Sequence, residues 1–188
     1  MRIAVLALQG AFAEHQQMLQ RFGVETFLVR NLDDWSQSKD GLIIPGGEST
    51  AMMRIIRDEG LYCPLRNAIL KGLPVFGTCA GLIMLDKEHL NTMDITVRRN
   101  AYGRQLGSFC CEGDFKGIGR VPMTFIRAPY IEEAGDDVEI LSVHDNHIVA
   151  ARQGNQLVTA FHPELSRSNL IHESFIELCR ANKFPPSN

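Results

Sequence analysis

The residues best placed for covalent chemistry are a cysteine and its glycine neighbours, Gly77-Thr78-Cys79-Ala80-Gly81. A β-rich apolar run, Leu73–Phe76, precedes them, and a helical run over Gly81–Leu85 follows. A nucleophile on such a strand-to-helix elbow stands clear of the backbone, and the flanking glycines allow the close approaches that a strained turn requires. A thiol at a helix N-terminus meets the positive end of the helix dipole, which favours thiolate near neutral pH. The Ala80 N–H beside the sulfur could donate to an oxyanion. The bland alternative is a structural cysteine in a glycine-rich turn.

A nucleophilic cysteine needs a base, and His162 in Phe161-His162-Pro163-Glu164 is the best of the six histidines. It follows a strand-like run, Leu157–Phe161. In extended backbone His162 and Glu164 project to the same side, so the carboxylate can bond one ring nitrogen and leave the other for Cys79. A third string, Pro45-Gly46-Gly47-Glu48-Ser49-Thr50, lies between a strand and a helix. Its free N–H groups suit an oxyanion, and Glu48 suits a cationic ligand group such as an α-ammonium rather than a phosphate.

Alternating periodicities position these strings. Ile3–Leu8, Thr26–Val29, Gly41–Ile44 and Leu73–Phe76 read as strands. Glu14–Phe22, Ser49–Glu59 (capped by Ser49 or Thr50), Pro64–Leu70 and the run from Gly81 read as helices. The order β-α-β-β-α-α-β-α predicts a three-layer α/β/α fold, its largely parallel central sheet covered by helices on both faces. Short strands at Ile95–Val97, Met123–Ile126, Val138–Ser142, Ile148–Ala151 and Leu157–Phe161 predict antiparallel additions, with a hairpin turn at Asp145-Asn146. A last helix spans about Asn169–Ala181. One domain over residues 1–184 is expected, with a short disordered tail at 185–188.

Composition narrows the class. The 188 residues are 45% hydrophobic and 22% charged, with a formal net charge of −3, which suits a soluble globular chain. No basic cluster longer than Arg98-Arg99 suggests nucleic acid, and no apolar run approaches a membrane span. Five scattered cysteines do not form a disulfide framework, so a reduced, cytoplasmic setting is expected. Cys63 and Cys179 read as buried fillers, and Cys110 and Cys111 as neighbours on opposite faces of a strand. His144-Asp145-Asn146-His147 lacks a third ligand at zinc-like spacing, so no metal is expected.

The cysteine elbow, the Gly-Gly-Glu-Ser-Thr string and His162-Pro163-Glu164 together resemble the class I (triad) glutamine amidotransferases. Leu8-Gln9-Gly10, Arg99-Asn100-Ala101-Tyr102-Gly103-Arg104-Gln105, Phe125-Ile126-Arg127-Ala128-Pro129 and His162-Pro163-Glu164-Leu165 narrow the match. They resemble the glutaminase subunits of pyridoxal 5′-phosphate synthase, the PdxT/SNO family, over nearly the whole chain. That resemblance implies a flavodoxin-like amidotransferase fold and hydrolysis of L-glutamine to L-glutamate and ammonia through a cysteine thioester. It implies Cys79 as nucleophile, His162 and Glu164 as its relay, and Gly47 and Ala80 as oxyanion donors. Gly47, Glu48, Ser49, Arg99, Ile126 and Arg127 would bind glutamine. It also implies delivery of ammonia to a separate (β/α)₈ synthase subunit in a hetero-oligomeric complex for vitamin B6 synthesis, with no cofactor on this chain.

The sequence departs from the family pattern at Ser108-Phe109-Cys110-Cys111-Glu112, at Ser166-Arg167-Ser168 and in the short Asp86–Arg98 segment, all away from the triad strings. Two rival readings stand beside this one. The first is a glutaminase serving another synthase; the second is a non-enzymatic, redox-sensing α/β protein using Cys79. The Gly46-Gly47 peptide could also flip at little steric cost, so a partner docking near Gln9-Gly10 could select the orientation that aims an N–H at the oxyanion.

Overall fold

The computed structural model describes residues 1–99 and 107–182. Arg104 and the tail expected at 185–188 lie outside them. The first half alternates as expected apart from one short helix, α2, that the sequence reading lacks: β1 (Arg2–Leu6), α1 (Phe12–Gln20), β2 (Glu25–Val29), α2 (Leu32–Trp35), β3 (Gly41–Ile44), α3 (Ser49–Asp58), α4 (Tyr62–Leu70), β4 (Val75–Thr78) and α5 (Ala80–Leu85). The second half is mostly strand: β5 (Ile95–Arg98), β6 (Ser108–Phe115), β7 (Gly119–Ile126), β8 (Tyr130–Ala134), β9 (Glu139–His144), β10 (His147–Gln153) and β11 (Gln156–Thr159). A 3₁₀ turn, Pro163–Leu165, leads to α6 (Leu170–Asn182).

Among the described residues the main sheet runs β2-β1-β3-β4-β11-β10-β8-β5, with β9 paired to β10. The first five strands are parallel. The rest are antiparallel. All four residues of β3, β4 and β11 are buried, as parallel strands covered on both faces must be. The mostly parallel sheet with helices, extended by antiparallel strands, is the expected fold class.

The parallel strands all point their C-terminal ends to one edge of the sheet. The chain passes from β1 out to β2 and then returns to β3 on the other side of β1. The loops after β1 and β3 therefore diverge, leaving a crevice where open α/β sheets bind ligands. Gln9-Gly10-Ala11, Pro45-Gly46-Gly47, Cys79 and His162 all follow strand ends on that edge.

Several boundaries differ from the sequence reading for local reasons. β4 begins at Val75 rather than Leu73, because the Leu73 N–H closes α4 by donating to the Ala68 carbonyl (3.0 Å) and Pro74 has no N–H to offer. β11 ends at Thr159, opposite Thr78 at the end of β4, so His162 stands beyond the strand. Met123–Ile126 is half of an eight-residue arm in a separate β6–β7 hairpin. β8 was not anticipated: Tyr130–Ala134 carries two adjacent glutamates and shows no apolar alternation. The Asp145-Asn146 turn is as expected, both residues having positive φ (47° and 62°). Cys63 is exposed rather than a buried filler; Cys179 is buried. Cys110 is exposed and Cys111 half-buried, as opposite strand faces require. No helix among the described residues is long and apolar enough to cross a membrane.

Candidate active site

Cys79 is held in a conformation that few side chains adopt. Its φ is 49° and ψ −101°, between the end of β4 and the first residue of α5. The Cys79 N–H donates to the Thr159 carbonyl (2.8 Å), tying the elbow to β11. A Cβ on Gly81 would overlap the Ile44 carbonyl, and one on Gly77 would lie 2.6 Å from the Gly81 carbonyl oxygen. The two glycines thus let α5 press against β3 and β4, which pushes the thiol outward. Ala80 opens α5, so its N–H is among the donors that a first helical turn leaves unpaired.

His162 approaches from β11. Its N–H donates to the Thr124 carbonyl (2.8 Å), which fixes the turn against the β6–β7 hairpin. His162 and Glu164 do meet, but through a 3₁₀ turn rather than extended backbone: Pro163 opens the turn and folds the carboxylate back under the ring. Nδ1 lies 2.7 Å from Glu164 Oε1. A carboxylate only accepts, so Nδ1 carries the proton and Nε2 is left for the sulfur. Burial pulls the His162 imidazolium down, but hydrogen bonds to Cys79 and Glu164 and their negative charge outweigh it, raising the group to about 10. His162 therefore holds a proton at neutral pH.

Cys79 and His162 open into a cavity of about 670 Å³. Gly47, Glu48, Ser49, Ala80, Arg99, Ile126 and Arg127 all line it, so every described candidate residue except Glu164 reaches the space. Glu164 sits behind His162 and is 5% exposed.

Glu48 corrects one expectation. It, and not Ser49 or Thr50, caps α3: its carboxylate accepts from the Thr50 N–H (3.0 Å) and the Ala51 N–H (2.7 Å). The Ala51 and Thr50 donors hold its carboxyl below the usual range, so it stays ionised at the cavity rim. Arg99 reaches across to α3 and donates to Thr50 Oγ1 (3.1 Å) and His89 Nε2 (2.7 Å). The guanidinium is thereby parked beside Glu48.

The glycine loop is gripped by the segment after β1. The Ala11 N–H approaches the Gly46 carbonyl (3.4 Å), and Gln9 Oε1 accepts from the Glu48 N–H (2.9 Å). Gly10 has φ 86° and packs so closely that a Cβ there would overlap the Gly46 carbonyl oxygen. A Cβ on Gly46 would in turn overlap the His162 ring. Gly46, expected from the sequence only as half of a flippable Gly46-Gly47 peptide, thus also leaves the room that the His162 ring occupies. Two further groups were missed, His15 and His172, both wholly buried behind Glu164.

The chain is similar to known proteins in sequence and in fold. The SNO glutamine amidotransferase family model matches residues 5–181. A protein named Pyridoxal 5'-phosphate synthase subunit PdxT, from Streptococcus pneumoniae (strain CGSP14), is 56% identical over 193 residues, covering 97% of this chain and all of that one. A solved structure described as a glutamine amidotransferase superposes with a TM-score of 0.90 at 38% identity, over 95% of this chain and 98% of the other. PurLQS from Thermotoga maritima shares the fold alone, with a TM-score of 0.71 at 17% identity over 94% and 97% of the two chains.

Proposed function

This chain belongs to the SNO glutamine amidotransferase family, and from that premise we propose that Cys79, His162 and Glu164 hydrolyse the side-chain amide of L-glutamine. The observation that carries the assignment is Cys79 at φ 49° on the elbow, facing an imidazole whose other nitrogen is 2.7 Å from a buried carboxylate. The sulfur attacks the amide carbonyl carbon, forming a C–S bond and an oxyanion that the Gly47 and Ala80 N–H groups receive. His162 gives its proton to the nitrogen as the C–N bond breaks, releasing ammonia and leaving a thioester. Neutral His162 then takes a proton from water, whose oxygen displaces the sulfur to give glutamate. Each oxyanion donor is worth about 3 kcal/mol of transition-state stabilisation.

The recognition chemistry fits an amino acid. Glu48 supplies an anion for the α-ammonium, and Arg99 supplies a cation for the α-carboxylate, with Ser49, Ile126 and Arg127 completing the pocket. The relatives' name, Pyridoxal 5'-phosphate synthase subunit PdxT, supports a synthase partner that receives the ammonia. Five free cysteines are consistent with a reducing cytoplasm.

The partner would also set the rate. Docking near Gln9-Gly10 would act on the Gly46-Gly47 peptide through the grip described above. Shifting a productive orientation from about 1% to about 99% takes roughly 5.5 kcal/mol of preference, within reach of a protein interface. The test is steady-state glutamate release by the chain alone and with a pyridoxal 5'-phosphate synthase barrel subunit. The expected result is a rise in kcat of at least tenfold with a smaller change in KM. Equal kcat in both conditions would remove the switch, and no glutamate in either would remove the glutaminase assignment.

A further inference from the structure

Behind the triad lies a chain of buried polar groups that the mechanism above does not use. His15 on α1 and His172 on α6 have no exposed surface, and neither does Thr78 at the end of β4. His15 Nδ1 lies 2.9 Å from His172 Nε2. His15 Nε2 lies 3.2 Å from Thr78 Oγ1 and 3.5 Å from Glu164 Oε2. Phe76 packs edge-on against both imidazoles, with ring centroids 6.0 and 5.6 Å away. The pair is thus walled off from water and joined to the carboxylate that orients His162.

The direction of this chain follows from its two ends. At the near end, Glu164 Oε2 has no hydrogen bond of good geometry among the described residues, and as a carboxylate oxygen it can only accept. A lone pair on His15 Nε2 would repel it, so Nε2 must bear the hydrogen, leaving Nδ1 to accept from His172. At the far end, His172 Nδ1 has no hydrogen-bond partner among the described residues. Orphaned N–H groups are rarer in buried sites than bare acceptors, and a hydrogen on Nε2 finds an acceptor in His15 Nδ1 where one on Nδ1 finds none, so the His172 hydrogen belongs on Nε2. Both ends require the same arrangement, although they lie on different elements. Burial lowers both imidazoles, His172 to about 3, so each is neutral and has one hydrogen to place.

We propose that His15, locked as its Nε2–H tautomer by His172, is a positioning residue that holds the second oxygen of Glu164 and thereby aims and keeps ionised the carboxylate serving His162. Glu164 is then flanked on both sides, by the 2.7 Å hydrogen bond from His162 to Oε1 and by His15 Nε2, 3.5 Å from Oε2. Burial alone would push its carboxyl up; the two imidazoles hold it down instead. Other charged or titratable groups acting on the cluster are Glu14 on α1, Arg21 just past its end, and Cys79 across His162. This role rests on the glutaminase reading, since it is defined by what Glu164 does for His162.

The test pairs spectroscopy with kinetics. In wild-type protein with ¹⁵N-labelled imidazoles, both His15 and His172 should give the neutral Nε2–H signature across pH 6–8. With the synthase barrel subunit present, His15→Leu should lower kcat for glutamate release about 10–100-fold with KM within about twofold. Its acid limb in kcat/KM should move up by about one pH unit, because an ungripped Glu164 protonates more readily. His15→Gln, whose amide N–H₂ replaces the Nε2 donor, should recover all but about threefold of the loss. Absence of wild-type turnover would overturn the glutaminase reading and leave the tautomer measurement standing. With wild-type turnover present, an Nδ1–H tautomer at His15 overturns the proposal. So does a folded His15→Leu with wild-type kcat and acid limb, or a folded His15→Gln as poor as His15→Leu. If His15→Leu fails to fold, the wild-type tautomer and the His15→Gln profile decide.

Discussion

Cys79→Ala is expected to reduce glutamate release by about 10⁴–10⁶-fold in kcat, the range seen when the nucleophile of a triad is removed. No other group can take its place. Among the cavity-lining residues Cys79 is the sole thiol, and the other four cysteines lie elsewhere on the fold. Glutamine binding should survive, because Glu48, Ser49 and Arg127 are untouched and the alanine still fits the elbow sterically. Steady-state kinetics with the partner present, alongside calorimetric titration of glutamine, separates the two effects. Limiting iodoacetamide followed by mass mapping should label Cys79 in the wild type before exposed Cys63 or Cys110. A variant that retains a tenth of wild-type turnover would remove Cys79 from the mechanism.

His162→Ala should cost nearly as much, at least about 10³-fold, because a single imidazole serves both half-reactions. It protonates the departing nitrogen and then deprotonates the attacking water. Glu164→Gln should be milder in one respect and worse in another. The amide can still accept from Nδ1, so the ring stays aimed, but the charge supporting imidazolium is gone. The His162 proton would then be lost at a pH well below 10, narrowing the active range from the alkaline side. A double variant, Cys79→Ala with His162→Ala, should be no worse than Cys79→Ala alone, since the two groups act as a unit. The kcat values and pH profiles of these variants are the measurement. Full activity in folded His162→Ala would end the triad assignment.

Much of this site was legible because its chemistry is local in sequence. The elbow needs glycines two residues either side of Cys79, and the close contacts of Gly77 and Gly81 show why. The carboxylate that serves His162 lies two residues away, so one string contained both. The strands that carry these residues are short and fully buried, so periodicity alone does not separate them from buried helix; their length and the Gly and Pro residues that flank them do. What escaped notice is non-local. His15 and His172 are 157 residues apart in sequence and 2.9 Å apart in space. Each sits singly on an apolar helix face, where a histidine reads as filler. The capping role of Glu48 escaped for a different reason. Ser49 and Thr50 are the stronger capping types, yet the strand-to-helix turn places Glu48, not either of them, in extended backbone at φ −97° and ψ 111°. Tyr130–Ala134 was missed because its glutamates face outward on a strand near the sheet edge, where charge is tolerated.

The buried imidazoles also bear on the durability of the whole fold. Unfolding would release His15 and His172 into water, where each binds a proton below about pH 6.5, whereas folded they stay neutral. Their share of stability is complete above 6.5 and drains away on acidification, at about 1.4 kcal/mol per pH unit for each. Glu164, held below its ordinary 4.5, adds a loss of the same sign at lower pH. His162 works in the opposite sense. Raised from 6.5 to about 10, it contributes fully below 6.5 and less with each step toward 10. The melting temperature should therefore peak near pH 6.5 and fall steeply on the acid side, and His172→Phe should flatten that acid slope. Thermal melts from pH 4 to 10 read this directly; a flat curve would mean the imidazoles are not neutral as buried. The same few ring nitrogens that serve turnover would then also set the acidity at which the protein comes apart.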